Sequence, residues 1–254
     1  MYPDQRNSVK AVYIILVLLF LVSSHRYEAP VQPADQEKGA YVILLHGLGR
    51  SSRSMATIEK SLSSLGYRVV NVDYPSTKHP IEFLADEILN DIVEPYSMHS
   101  QSKIHFVTHS MGGIVVRYYL KNHKLPNLGR VVMISPPNQG SELVDSLSDS
   151  YFFNKLNGPA GRQLGTEKDS FPLSLGSVDF ELGVIAGNRS FNPLYSLIVP
   201  GPDDGIVSVE RTKVAGMKDF LVLPRSHVFI MRSEDVIKQV IHFIEHGAFR
   251  REAQ

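Results

Sequence analysis

Three residues that together could activate a hydroxyl group occur in this chain in the order serine, aspartate, histidine. A serine hydroxyl is a weak nucleophile unless a neighbouring base takes its proton and a third group orients that base. Ser110 is the predicted nucleophile, because it stands between an apolar strand pattern at residues 104–107 and an apolar helical pattern that begins at Met111. The alternative is that Ser110 only caps this helix, since serine is common at that position.

The predicted orienting acid is Asp204, with Asp203 as the second choice. Both follow the apolar run at residues 197–199, which predicts a short strand that breaks at Pro200. An aspartate just past a strand end is well placed to hold a base. The sequence Pro-Asp-Asp-Gly is also an ordinary turn sequence, so the two acids could instead have only a structural role.

The predicted base is His227. It follows a strand pattern at residues 219–223 and precedes an amphipathic helix predicted over residues 233–246, which ends at Gly247. The chain has ten histidines, so the position of any one of them is weak evidence by itself. His227 is the histidine that completes the order set by the serine and the acid.

The sequence around these residues resembles a known family. Thr108-His-Ser-Met-Gly112 is similar to the Gly-x-Ser-x-Gly elbow that presents the nucleophile of α/β-hydrolases, with threonine in place of the first glycine. With His46-Gly-Leu-Gly49, Asp204-Gly-Ile-Val207 and the later histidine, residues 40–246 resemble bacterial serine lipases and esterases of that superfamily. The resemblance implies an α/β-hydrolase fold.

The resemblance also implies a chemistry. Such enzymes cleave carboxylic esters through an acyl-enzyme intermediate, and the expected substrate is a lipid ester or an ester of a short or medium acyl chain. The backbone amides of Leu48 and Met111 would form the oxyanion hole. His46 is interpreted as a residue that positions the loop, while His109 either lines the cleft or packs beside the serine.

Two other functions stay open at this point. The same three residues could serve an acyltransferase or a thioesterase, in which the acyl group goes to another acceptor or comes from a thioester. The chain could also be a non-catalytic binding protein on the same fold. The complete set of serine, aspartate and histidine argues against this last interpretation, because a scaffold has no need of all three.

Length and composition favour a single α/β domain, predicted over residues 39–254 of the 254-residue chain. Short apolar strands alternate with helical patterns, which predicts a mostly parallel sheet flanked by helices. The helices are predicted over residues 54–65, 80–96, 110–121 and 233–246. The 26 basic and 26 acidic residues give no net charge, which excludes a strongly basic nucleic-acid surface.

No cofactor and no metal ion are expected. The chain has no cysteine, so disulfides and thiolate metal sites are excluded. None of the ten histidines is expected to lie at HxxxH or HExxH spacing on a helix. The expected partner is a small-molecule or lipid ester, and the expected oligomeric state is a monomer.

The stretch Glu142–Gly176 is too long for a plain connection between strands, here taken as the sixth and seventh. Two short helices forming a cap or lid over the cleft would account for its length. Phe152 and Phe153 are the predicted substrate-binding residues, and the alternative is that they only anchor the cap to the domain. A lid that opens at a lipid surface would favour lipase behaviour.

The amino terminus carries an apolar segment, Ala11–Val22, preceded by Arg6 and Lys10. Twelve apolar residues suit the apolar region of a signal peptide, since a spanning helix needs about 20. Residues 1–24 are therefore predicted as a signal peptide or, alternatively, as a retained inner-membrane anchor, followed by a linker over residues 25–38. Both alternatives imply export, to the periplasm or the medium, and the second implies membrane association.

Overall fold

A computed structural model describes residues 39–99 and 102–251 of the chain. The chain divides into two units, residues 1–35 and 36–254. The first unit lies outside the described residues, and so do the predicted leader and linker. Among the residues that are described, no helix combines the length and the apolar character that a membrane span requires.

Within residues 39–99 and 102–251, six strands form one sheet in which every pair is parallel, in the order β2-β1-β3-β4-β5-β6. Parallel pairing places the carboxyl ends of all six strands at one edge, where the following loops converge. The strands are β1 (Tyr41–Leu45), β2 (Arg68–Val72), β3 (Ile104–His109), β4 (Leu128–Ile134), β5 (Leu182–Gly187) and β6 (Asp219–Leu223). The predicted α/β class with a mostly parallel sheet is confirmed.

Helices follow most of the strands. They are α1 (Ala56–Ser64), α2 (Ile81–Phe83, the π-helical Leu84–Leu89 and Asn90–His99), α3 (Met111–Asn122), α4 (Glu142–Leu147), α5 (Tyr151–Arg162), α6 (Phe171–Ser174), α7 (Pro193–Ser196) and α8 (Glu234–His246). The four predicted helices correspond to α1 to α3 and α8, with ends that differ by a few residues. Gly247 ends α8 with a φ of 71°, which is the left-handed conformation that glycine adopts readily.

Alternating residues of the buried strands point to opposite faces, so each strand contributes to two cores. In β1, Ile43 belongs to the core shared with α2 and α3, whereas Val42 belongs to the core shared with α1 and α8. In β3, Phe106 and Val107 divide in the same way. The sheet is thus covered on both faces, and the carboxyl edge is left to carry the loops.

Two details of the strand predictions are wrong. Residues 197–199 form no strand, and the side chain of Leu197 is 84% exposed. The reason is that β5, the strand before them, already pairs with β4 and β6, while Asn192 caps the short helix α7 and Pro193 begins it. The stretch predicted as a cap connects the fourth and fifth described strands rather than the sixth and seventh.

The long connection between β4 and β5 carries three helices, α4 to α6, instead of the two expected. Helix α5 has a break at Gly158. Its carboxyl end is tied to the domain, because the Gln163 side chain accepts a hydrogen bond from the Ile81 amide at 2.8 Å and donates one to Glu82 at 2.7 Å. This connection is called the cap below.

The register of β3 and β4 shifts between Ile104 and Phe106. A buried histidine at this shift accepts a hydrogen bond from a backbone amide of β4. The amide of Arg130 donates a hydrogen bond to Nδ1 of His105 at 2.8 Å. His105 is 6% exposed. Burial first, and then the positive charge of Arg130, lower the pKa of His105 from 6.5 to about 4.

The lowered pKa of His105 predicts a loss of stability at acid pH. The unfolded chain binds a proton on this side chain near pH 6.5, whereas the folded chain binds it only near pH 4. The stability that the neutral form provides above pH 6.5 is therefore lost as the pH falls towards 4. We expect His105 to account for a loss of about 3 kcal/mol in the free energy of unfolding over this window.

Urea unfolding of the wild type and of His105→Asn at several pH values checks this expectation. Asparagine keeps an oxygen acceptor for the Arg130 amide but has no proton to bind, so the difference between the two curves isolates His105. Other buried histidines contribute equally to both curves. Parallel stability curves between pH 6.5 and 4 would show that His105 does not titrate as expected.

Candidate active site

Ser110 lies at the turn between β3 and α3, at the carboxyl edge of the sheet. Its backbone has a φ of 53° and a ψ of −127°, a positive φ that non-glycine residues adopt rarely and that clusters at functional sites. Its amide donates to the carbonyl of Ile134 on the adjacent strand at 2.9 Å. The Ser110 side chain makes no capping hydrogen bond to α3, so helix capping does not explain this serine.

The Ser110 hydroxyl instead lies against His227. The distance from Ser110 Oγ to His227 Nε2 is 3.0 Å, and the distance from His227 Nδ1 to Asp204 Oδ2 is 2.8 Å. All three residues are buried, with exposed fractions of 8% or less. Because a carboxylate only accepts, the ring proton of His227 is on Nδ1, and its Nε2 lone pair faces the serine hydroxyl. The structure therefore brings the three predicted side chains together.

Asp204, and not Asp203, is the acid that reaches the histidine. The second oxygen of Asp204 accepts hydrogen bonds from the amides of Ile206 and Val207 at 3.0 and 2.8 Å. The carboxylate of Asp203 points elsewhere and accepts from the Ser196 hydroxyl and the Gly205 amide. Asp203 therefore holds its own loop, while Asp204 has one oxygen fixed by the backbone and the other on the base.

The loop that follows β1 packs directly on the serine turn. A side-chain carbon at Gly112 would lie 2.8 Å from the carbonyl oxygens of Leu45 and His46, and one at Gly47 would lie 3.0 Å from Ser110 Cβ. The distances at Gly112 are shorter than a side-chain carbon tolerates, so that close approach requires glycine, and the distance at Gly47 is at the limit and favours glycine. The predicted oxyanion donors are the amides of Leu48, which lines the same cavity as Ser110, and of Met111, the residue that follows the serine. Within the described residues, neither amide donates a hydrogen bond to another group of the protein.

His46 is buried and lies apart from the proposed proton path. Its Nδ1 donates to the carbonyl of Gly47 at 2.8 Å, and its ring stacks on Tyr74 with 4.2 Å between the ring centres. The Tyr74 hydroxyl in turn donates to the carbonyl of His46 at 2.6 Å. Burial lowers the pKa of His46 below 6.5, against the opposing effects of its bond to Gly47 and of nearby Asp73. These contacts agree with the interpretation of His46 as a residue that positions the loop.

His109 contacts the backbone of His227. The sequence alone does not decide whether His109 lines the cleft or packs beside the serine. Its Nε2 lies 3.0 Å from the backbone carbonyl of His227, and a carbonyl only accepts, so the proton of the His109 ring is on Nε2. Its Nδ1 is buried and has no hydrogen-bond partner among the described residues. Burial first, and then the charge of His227, lower the pKa of His109 well below 6.5. His109 is therefore a neutral donor that fixes the backbone of His227.

A cavity of about 160 Å³ opens beside Ser110 and His227. Its lining is largely apolar and comes from the loop after β1, the cap and the segment that follows Asp204. Phe153 lies in this lining, as predicted for a substrate-binding residue. Phe152 does not: its side chain is 74% exposed and contacts the ring of Tyr151 instead. The physical reason is that successive residues of a helix point in different directions, so only one of the two neighbours can face the cavity.

The expectation that no histidines have HxxxH spacing on a helix is wrong for α8. His242 and His246 are one helical turn apart, with 4.4 Å between their ring centres, a spacing that metal sites use. His242 Nδ1, however, bonds to the carbonyl of Ala248. In residues 39–99 and 102–251, no three histidine, aspartate or glutamate side chains converge as metal ligands would.

The arrangement has the parts that nucleophilic catalysis needs. A hydroxyl lies against the lone pair of an imidazole, and a carboxylate orients that imidazole. The amides of Leu48 and Met111 have no hydrogen-bond partner among the described residues. The positive end of helix α3 also points at the site, which favours negative charge there.

Comparison with known protein families gives a match. A family model described as alpha/beta hydrolase fold matches residues 41–184, more than half of the chain. No curated protein sequence matches this chain significantly.

Solved structures share the fold. Lipase BlEst2 of Bacillus licheniformis in its propeptide form superposes with a TM-score of 0.66 at 19% identity, over 89% of this chain and 54% of that one. Phospholipase PlaB of Legionella pneumophila gives 0.63 at 18% identity, over 80% of this chain and 57% of that one. An esterase from Exiguobacterium antarcticum superposes with a TM-score of 0.57 at 16% identity, over 82% of this chain and 92% of that one. The chain spans little more than half the length of the first two proteins, and at these identities the likeness is one of fold.

The contact between His109 and His227 predicts a graded response to substitution. His109→Gln keeps a neutral N–H donor for the carbonyl of His227, whereas His109→Phe fills the space without one. We expect a fluorophosphonate to label Ser110 about fivefold more slowly in the Phe variant, because a neutral hydrogen bond is worth about 1 kcal/mol. The Gln variant should react at nearly the rate of the wild type.

Labelling rates and urea unfolding midpoints of the three proteins check this role. A Phe variant that reacts as fast as the wild type would contradict it. So would equal slowing in both variants, because the ring itself, and not its donor, would then matter.

Proposed function

We propose that the chain, which belongs to the α/β-hydrolase family, is a serine hydrolase that cleaves carboxylic esters through an acyl-enzyme intermediate. Ser110 is the proposed nucleophile, His227 the base and Asp204 the acid that orients it. The names of its structural neighbours, a lipase, a phospholipase and an esterase, support an ester as the substrate.

One observation carries this proposal. The hydrogen bonds of 3.0 Å from Ser110 to His227 and 2.8 Å from His227 to Asp204 join three residues that are far apart in the sequence. A structural role would need neither a strained serine nor a histidine held in one tautomer. Together they supply what a serine needs to attack a carbonyl carbon.

In the proposed acylation, the ester carbonyl lies in the cavity with its carbon facing Ser110 Oγ. His227 Nε2 takes the hydroxyl proton as the oxygen attacks, and Asp204 stabilises the imidazolium that forms. The carbonyl oxygen becomes negative and is held by the amides of Leu48 and Met111. Such a donor contributes ~3 kcal/mol to lowering the barrier.

The attack forms a tetrahedral intermediate. When this intermediate collapses, the ester bond breaks and the alcohol leaves with the proton from His227. In deacylation, His227 takes a proton from water, the hydroxide oxygen attacks the acyl carbon, and Ser110 leaves with that proton. The same sequence with an alcohol in place of water would be acyl transfer, and a thioester would enter by the same first step.

The cavity supports an acyl group of short or medium length. Its volume of about 160 Å³ is smaller than that of pockets which enclose a drug-sized molecule, roughly 300 Å³ or more. Leu48, Val144, Phe153 and Leu164 give it an apolar wall. A longer chain would extend past this wall and out of the mouth, under the cap.

We further propose that the enzyme acts outside the cytoplasm. This rests on the apolar segment Ala11–Val22 and its basic flank, which lie outside the described residues. Comparing the mass of the mature protein with that of the whole chain distinguishes a cleaved signal peptide from a retained anchor.

Labelling with a fluorophosphonate tests the proposed nucleophile. We expect the wild type to be labelled once and Ser110→Ala not at all, because the reagent forms a covalent bond with an activated serine. A p-nitrophenyl ester of short acyl length should be hydrolysed by the first protein only. Labelling that survives in Ser110→Ala would show that another residue is the nucleophile, and a wild type without labelling or ester hydrolysis would favour the binding-protein alternative.

The pair Asp204→Asn and Asp203→Asn tests the acid with a matched control. Asp204→Asn should lower kcat by about 10⁴-fold, because an amide cannot hold the histidine in the required tautomer. Asp203→Asn keeps an oxygen for the Gly205 amide and should lower kcat far less. A greater loss at Asp203 would reverse the assignment.

A further inference from the structure

Large apolar side chains are exposed at the mouth of the cavity. Leu197 is 84% exposed, Phe191 78% and Leu194 69%, and Phe229 is half exposed. Isolated exposed apolar residues are ordinary, but a contiguous group marks an interaction surface. We call this group the apolar face; it consists of Phe191, Leu194, Leu197, Ile198, Val228 and Phe229.

The apolar face is joined to the candidate site by direct contacts. The rings of Phe191 and Phe229 meet edge to face, with 5.9 Å between their centres. Ser196, which lies between Leu194 and Leu197 in the chain, donates a hydrogen bond from its hydroxyl to Asp203 at 3.0 Å. Val228 follows His227 directly and lines the cavity. The face is therefore held at the entrance that a substrate must use.

Helix α5 of the cap adds exposed apolar residues near the same cavity. Tyr151, Phe152 and Leu156 are about 70% exposed, while Phe153 and Asn157 of the same helix line the cavity. Apolar surface thus borders the cavity on the side of the cap as well as on the side of Val228. A protein bound permanently over the apolar face and the exposed residues of α5 would block the entrance to the cavity. A lipid surface in the same place would instead supply substrate to the cavity.

The charges beside the apolar face are positive. Residues 188–202 contain Arg189 and no acidic residue, and residues 224–232 contain Arg225 and Arg232 and no acidic residue. Arg225 pairs with Asp235. Arg189 and Arg232 are exposed and have no carboxylate partner among the described residues. Unpaired arginines next to inserted apolar residues suit anionic lipid headgroups.

We propose that the apolar face docks on an anionic membrane surface, with its apolar side chains among the lipid chains and Arg189 and Arg232 on the headgroup phosphates. Docking places the mouth of the cavity at the level of the lipid ester bonds. That the docked lipid is also the substrate rests on the ester hydrolysis proposed above. The docking itself requires only the face.

The absence of tryptophan from the chain allows a direct test in the full-length protein. Leu197→Trp places the single tryptophan of that variant on the apolar face, where it can be excited selectively over the tyrosines. Lys124→Trp is the matched control, since Lys124 is exposed and lies beyond the carboxyl end of α3, a helix that begins at Met111, next to Ser110, and runs away from the site. Each protein is mixed with vesicles of phosphatidylcholine, with or without phosphatidylglycerol.

With vesicles that contain phosphatidylglycerol, we expect the emission of Leu197→Trp to shift to the blue and to be quenched by lipids brominated in the acyl chain. Lys124→Trp should show neither change, even where the amino-terminal segment binds the vesicles. Quenching that is equal at the two positions, or absent at position 197, would overturn the proposal. A blue shift at position 197 that depends on protein concentration and needs no lipid would also overturn it, because a second copy of the chain would then cover the face.

Two further variants separate this proposal from the enzymatic one. Leu197→Trp combined with Ser110→Ala should still be quenched, since docking does not need the nucleophile. Leu194→Ser with Leu197→Ser should hydrolyse a water-soluble p-nitrophenyl ester at the wild-type rate and lose ~10-fold activity on an ester embedded in anionic vesicles. A wild type that does not hydrolyse the water-soluble p-nitrophenyl ester would refute the proposed function, and the quenching result would still support docking.

Discussion

The close approach of two backbone segments is the constraint on which the site depends. Because β1 and β3 are neighbours in a parallel sheet, the loop after one strand and the turn after the other leave from the same edge. Gly47 and Gly112 let these segments lie closer than side chains would allow. This contact packs the loop that carries Leu48 against the turn that holds Ser110 in its strained conformation. Buried Tyr74 holds this loop, because its ring stacks on His46 and its hydroxyl donates a hydrogen bond to the His46 carbonyl.

The parts of this arrangement that local sequence encodes could be predicted. Ser110 and His227 stand where a strand pattern gives way to a helical one, and such changes of period are visible without knowledge of the fold. Asp204 was predicted for a partly wrong reason, since the apolar run before it forms no strand. Its loop is held instead by side-chain and backbone hydrogen bonds that include Asp203. The acid could be named from its turn sequence, but its support could not.

The parts that depend on contacts between distant residues could not be predicted. The bond from His109 to the carbonyl of His227 joins residues far apart in the chain, and no local pattern indicates which side chain will face it. The same holds for His105, which satisfies the amide of Arg130 at a register shift. The wrong prediction for Phe152 has a different cause. The rotation of helix α5 about its axis decides which of two adjacent rings faces the cavity, and the sequence does not give this rotation. The apolar face is likewise recognisable only once exposure is known.

The crystal structure of the protein after reaction with a fluorophosphonate tests the central claim most directly. The phosphonyl group is tetrahedral and carries an oxygen where a carbonyl oxygen would become negative. We predict a bond from phosphorus to Ser110 Oγ, with the phosphoryl oxygen within hydrogen-bond distance of the amides of Leu48 and Met111. A phosphonyl group on another residue, or a phosphoryl oxygen turned away from both amides, would contradict the site described here.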